Sequence, residues 1–188
     1  MGHPEALLEI LPLLGDTLAA RIGAVRAIGE TGKPEAELLL RLHVMHGDSD
    51  AEVMGQCFTA LIGLIPHRSL EFVARHLRAG SEEVAEMAAL ALGESRLPAA
   101  FPLLRDSWEM PLEYAVKRSI LFALAMLRRD EAFDFLLALM ERQEQDASSV
   151  ISALAIHKSD DALRSRVAGK LDALGNARLT DLFQREWC

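Results

Sequence analysis

Few residues in this chain have types and spacings that could do chemistry. His43 and His46 are three apart, so on a helix their imidazoles share a side and could share a metal, but no Cys, Asp or Glu completes a clear ligand set beside them. They read as a solvated or packing pair. Asp106 and Trp108 place an acid near a large aromatic, and Cys57 is a candidate thiol nucleophile. No Ser/His/Asp motif, Gly-rich phosphate loop or paired-carboxylate signature stands out. The expectation is a non-enzyme with no catalytic residue, no metal ligand and no cofactor. What the candidates do instead depends on the elements that hold them.

Those elements recur. The stretch Glu82 to Trp108 holds two apolar-periodic segments about a short turn, and aligning the chain on Ala91-Leu92 finds Ala27-Ile28, Ala60-Leu61, Ala123-Leu124 and Ala153-Leu154 at intervals of 33, 31, 32 and 30 residues. This is the period of stacked helical pairs. Nine residues after each alanine comes a small residue, in order Ala36, Ser69, Ala100, Ala132 and Ala162. In the first helices Val84, Ala88 and Ala91 share a face. In the second helices Leu70, Phe72, Val73 and Leu77 match Phe101, Leu103, Leu104 and Trp108. A single hairpin cannot bury both its sides, so neighbours must cover it. In this register Trp108 shares a core column with Val44, Leu77 and Met140, and Cys57 shares a small-residue column with Ala24 and Ala88. Both read as core, Cys57 as an inert buried thiol.

Composition agrees. Of 188 residues 51% are apolar and only 5% aromatic, which suits an Ala/Leu-built helical domain. Twenty basic against 28 acidic residues leave a net charge of −8, which disfavours a phosphate backbone as partner. Cys57 and Cys188 form no disulfide framework, which suits a reducing compartment, and the cytoplasm is the expected location. The first fifteen residues lack the basic start of a secretory signal. The longest uncharged run, 53 to 66, is 14 residues, short of the roughly 20 that span a bilayer.

The chain divides into one domain of five repeats, at about 16–47, 48–80, 81–110, 111–145 and 146–176, with caps at 4–15 and 177–188. Residues 4 to 14 form an orphan second helix. Asp16 or Thr17 caps the first full repeat, Gly47 to Asp50 supply a cap for the second, and Gly80-Ser81 cap the third. Pro66 ends the helix that starts near Ala51, and Pro98 opens a second helix from a first-turn position. In the fourth pair the helices run from about 112 to 127 and 131 to 145. In the fifth repeat Asp146 replaces the apolar residue found earlier, so its first helix is expected to be short, with Asp146 as its cap. Leu179, Leu182, Phe183 and Trp187 on a final helix would close the core.

The run Val84 to Leu104, VAEMAALALGESRLPAAFPLL, resembles the HEAT repeats of bacterial proteins, especially the short type named after phycobilisome lyases. The resemblance rests on Ala91-Leu92-Gly93, on Ala99-Ala100-Phe101, and on a basic residue six before the alanine at Arg21 and Lys117, where Met54 and Ala85 stand in other repeats. It implies an all-α solenoid of about five hairpins with a cap at each end. HEAT-type di-iron hydroxylases carry repeated His-Glu dipeptides, and this chain has none. A HEAT-like fold also serves alkylpurine DNA glycosylases, for which Asp106 and Trp108 are the nearest suggestion.

HEAT arrays usually present their second helices to partners, in columns 11, 15 and 18 after each alanine. Repeat two offers Glu71, Arg75 and Arg78, repeat three Pro102, Asp106 and Glu109, and repeat four Asp134, Ala138 and Glu141, a mixed face tending acidic at its middle. Repeat one instead reads Leu38, Leu42 and Met45, with Leu8 in the first column on the cap helix. Either the cap helix or a terminus folds over these, or they form an exposed patch for a partner helix or a second copy, giving a homodimer. The expected function is a non-enzymatic protein-protein interaction scaffold or adaptor. The alternatives are an accessory subunit of a modifying enzyme, such as a phycobilin-lyase-like protein, and nucleic-acid binding of the alkylpurine glycosylase type.

Overall fold

A computed structural model describes residues 5–142 and 144–187, and every regular element in it is a helix. In chain order the α-helices are α1 (Glu5–Ile10), α2 (Leu18–Glu30), α3 (Pro34–His46), α4 (Ala51–Leu64), α5 (Pro66–Arg75), α6 (Glu82–Glu94), α7 (Ala100–Trp108), α8 (Tyr114–Met126), α9 (Asp130–Leu139), α10 (Glu144–Leu154), α11 (Asp161–Leu174) and α12 (Ala177–Trp187). Short 3-10 turns follow α1 (Leu11–Gly15) and α10 (Ala155–His157). The final residue, Cys188, lies outside the described residues, as do Gly2 and Pro4. None of the described helices is long and apolar enough to cross a membrane.

Local chemistry sets the boundaries. Thr17 and Ser81 accept hydrogen bonds from Ala20 N and Val84 N, both at 3.4 Å, as N-caps. The Ser81 hydroxyl also holds the Glu83 carboxyl below the usual carboxylate range. Asp160 caps α11 by accepting from Leu163 N at 3.0 Å. Proline acts differently from the sequence expectation. α4 stops at Leu64 and Pro66 is the first residue of α5, because a residue without an N–H is as well suited to starting a helix as to stopping one. Pro98 sits two residues ahead of α7, its carbonyl accepting Phe101 N at 3.2 Å. Pro12 converts the end of the cap segment into a 3-10 turn, so the helix expected over 4 to 14 is α-helical only to Ile10. α10 is short, as expected, but Asp146 is not its cap: the helix starts at Glu144, with Asp146 inside its first turn.

The even-numbered helices α2, α4, α6, α8, α10 and α12 lie side by side in chain order, and each odd helix from α3 packs beside its even neighbour. The core runs between the two rows. It includes Val53, Cys57, Ala88, Leu92, Ile120 and Leu124 from the first row and Leu40, Val73, Leu104 and Leu136 from the second, all fully buried. Ala36, Ser69, Ala100 and Ala132 are fully buried too, but Ala162 is exposed and Leu163 takes the inward place. The inward position falls one residue later here, after the 3-10 turn that follows α10.

Spacing within the first row is set by small residues. A Cβ on Gly93 of α6 would stand 2.6 Å from the Ala123 Cα of α8, and one on Gly29 of α2 would stand 2.9 Å from the Ala60 Cβ of α4. Neither α8 nor α10 contains glycine, and there the row is looser. The hairpin turns differ as well. Gly32 has φ +64°, the left-handed conformation that suits glycine, while Arg96 and Arg128 hold φ +51° and +54° at the same repeat position.

Candidate functional site

Three places hold the residues singled out by chemistry or by column. The first is the loop between α3 and α4. His43 Nε2 lies 3.1 Å from Asp48 Oδ2, a carboxylate that also sits 3.2 Å from Arg21 Nε. Arg21 reaches across from α2, donates to the Asp16 carbonyl at 2.9 Å and pairs with Asp50. Arg21, the basic residue six before the alanine, thus ties α2 to the turn that opens α4, whereas Lys117 at the same spacing lies over the Trp108 ring instead. His46 is exposed and takes no part. Among the described residues no three His, Cys, Asp or Glu come together as metal ligands. Cys57 is fully buried, and burial, with a smaller push from the charge of Asp48, raises its thiol pKa to about 12. At neutral pH it is protonated and shielded from any substrate.

The second place is the outward face of the odd helices. Trp108 is buried, with Lys117 Nζ 5.0 Å from its ring centre, while Asp106 points to solvent and pairs with Arg105 at 2.7 Å. The two form no common wall. Glu71, Arg75 and Arg78 are exposed. The acids that made the middle of this face look negative are matched by cations one repeat on: Glu109 by Arg142 at 2.8 Å, Asp134 by Arg166 at 2.5 Å, and Glu141 by Lys170. Such surface pairs contribute about 0–1 kcal/mol each, but they cancel the field that a binding groove would use.

On α3 the same columns are apolar and uncovered. Leu38, Leu42 and Met45, spaced four and three apart on one face, are 61%, 53% and 75% exposed, and Leu8 is 67% exposed. The cap helix does not fold over them. The other edge of α3 is fixed: buried Glu37 accepts from Arg41 at 2.9 Å and pairs with Arg68 of α5 at 3.3 Å, and the Arg41 guanidinium lies 4.4 Å from the Phe72 ring centre. The apolar face is therefore carried on an anchored helix.

The third place is one that sequence reasoning missed, a trough of about 490 Å³ between α8, α10 and α12. Tyr114, Arg118 and Phe122 come from one face of α8, Ser148, Ser149 and Ser152 from α10, and Arg178, Leu182 and Arg185 from one face of α12. The Tyr114 hydroxyl is 3.2 Å from Ser149 Oγ, and Ser152 donates to Glu186 at 2.9 Å. α12 is held in place by buried Leu179, Phe183 and Trp187, whose indole N–H donates to the Ile151 carbonyl at 3.3 Å. Leu182 packs against the core, as expected, and also lines the trough. A signal was present in the register, because the positions of Tyr114 and Arg118 are occupied in α6 by Glu82 and Glu86.

No protein-family model matches the chain, and no curated protein matches its sequence. Among solved structures it is similar to an engineered protein from the Northeast Structural Genomics Consortium, at 18% identity over 97% of this chain and 95% of that one, with a TM-score of 0.45.

Proposed function

We propose that the chain is a HEAT-like α-solenoid of five hairpins with a cap at each end, and that it works as a non-enzymatic protein-protein interaction scaffold. The 30 to 33-residue period supports the architecture, as do the side-by-side rows of even helices. The single observation that carries the function is the exposed row Leu38, Leu42 and Met45 on α3, where later repeats carry Glu71, Arg75 and Arg78 or Asp106 and Glu109. Fully burying one Leu or Met side chain is worth about 1.5–3 kcal/mol, so three side chains more than half exposed offer enough to seat the apolar face of a partner helix or of a second copy.

The test is the double variant Leu38→Glu with Leu42→Arg. Its melting midpoint should match the parent, because neither side chain packs in the core, with stability changed by less than about 0.5 kcal/mol. Concentration-dependent self-association in sedimentation, or capture of a defined protein partner, should weaken at least about tenfold. A variant that unfolds, or one that keeps its fold and every association, counts against the docking surface.

A further inference from the structure

We propose that the trough between α8, α10 and α12 is a binding site for a small organic phosphate, a phosphomonoester attached to an apolar or aromatic body. The three helices divide the work by side-chain size. α10 is the middle helix and presents only serines, at 148, 149 and 152, so it forms a low floor, while the long side chains of α8 and α12 rise as walls. Residues 114, 118 and 122 fall on one helical face, as do 178, 182 and 185, so both walls point inward along their length.

The chemistry of the walls is specific. Three arginines converge on one concavity in a chain whose formal charge is −8. Glu186 sits at the edge, engaged by Ser152, and Arg178 has an interaction of its own, so Arg118 and Arg185 are the cations on which the site rests. Among the described residues neither Arg118 nor Arg185 has an ion-pair partner. Guanidinium forks match phosphate oxygens two at a time, and two of them satisfy a dianion better than a monoanionic carboxylate. The second half of the ligand is set by Tyr114, Phe122 and Leu182, which line the same space; the Tyr114 ring is pinned across the helices through Ser149. At about 490 Å³ the space lies in the range of small-molecule sites. The register shows that this is a departure from the repeat: the corresponding residues of α6 are Glu82 and Glu86, which would repel a phosphate.

Titration of the full chain with phenyl phosphate at constant ionic strength, followed by amide chemical shifts, tests this. Saturable binding is expected, with shifts concentrated in α8, α10 and α12. Inorganic phosphate should bind at least about threefold more weakly, because it cannot use the aromatic wall. Arg118→Gln with Arg185→Gln should weaken phenyl phosphate at least about tenfold without changing the circular dichroism spectrum. Ser152→Leu, which raises the floor and keeps every arginine, should do the same and guards against a double variant that fails to fold. Absence of saturation up to about 10 mM overturns the proposal. So does binding that survives both variants, and so does inorganic phosphate binding as tightly as phenyl phosphate.

Discussion

The first row of helices is built to two spacings. From α2 to α8 the helices meet through glycine and alanine, and Gly93 lies so close to Ala123 that no side-chain atom fits between them. From α8 to α12 there is no glycine at the contacts, the helices stand further apart, and serines line the trough between them. One helical period therefore gives a closer or a wider helix spacing according to the size of a few residues. The close half is spaced by glycine and alanine, and the loose half holds the trough lined by Tyr114, Arg118 and the serines.

The contrast is most sharply tested with large-to-small changes at equivalent core positions. Leu92→Ala in α6 and Leu154→Ala in α10 each remove a fully buried side chain and should cost about 2–5 kcal/mol. Leu92→Ala should lie toward the upper end, since its surroundings have less freedom to collapse around the cavity. Exposed Glu83→Ala should cost little. Denaturant melts compare them, and equal midpoints for Leu92→Ala and Glu83→Ala would show the core columns to be misassigned.

Glycine substitutions should show opposite signs. Gly93→Ala forces the α6–α8 contact apart and is expected to destabilise by about 1–3 kcal/mol. Gly169→Ala, in α11 with nothing near its added methyl group, should stabilise by about 0.5–1 kcal/mol through helix propensity. Thermal melts yielding the same sign for both would remove the basis of the two spacings.

The smallest effect concerns Cys57. In a Cys188→Ser background its thiol should react with a disulfide reagent at neutral pH only as fast as the chain opens, and at full speed in denaturant. Its folded pKa is raised from 9.0 to about 12, so the stability that comes from burying the neutral thiol is present below pH 9 and is lost as pH rises from there toward 12. Rapid labelling of the folded chain at pH 7 would place Cys57 outside the core.

Much of the fold was legible because the repeat phases every column at once. Periodicity alone placed Trp108 and Cys57 inside and Glu71, Arg75 and Asp106 outside, and the structure agrees. Boundaries at proline were not legible, since the same missing N–H ends α4 in one reading and starts α5 in the other. The shift at Ala162 depends on a 3-10 turn that leaves no mark in the apolar pattern. Of the candidate surfaces, the α3 row stood out as leucines in a charged column. The trough did not, because Ser148, Ser149 and Ser152 look unremarkable until two arginine-bearing helices flank them. The pairing of Asp134 with Arg166 was hidden for a related reason: the partners are 32 residues apart and meet only in the folded chain.

Arg96 and Arg128 also bear on where the stability of the turns comes from. Each holds a left-handed backbone conformation that costs a side-chain-bearing residue on the order of 1 kcal/mol, at the very position where the first repeat uses glycine. The α6–α7 and α8–α9 turns therefore draw their stability from the helices packed around them and not from their own backbone preference.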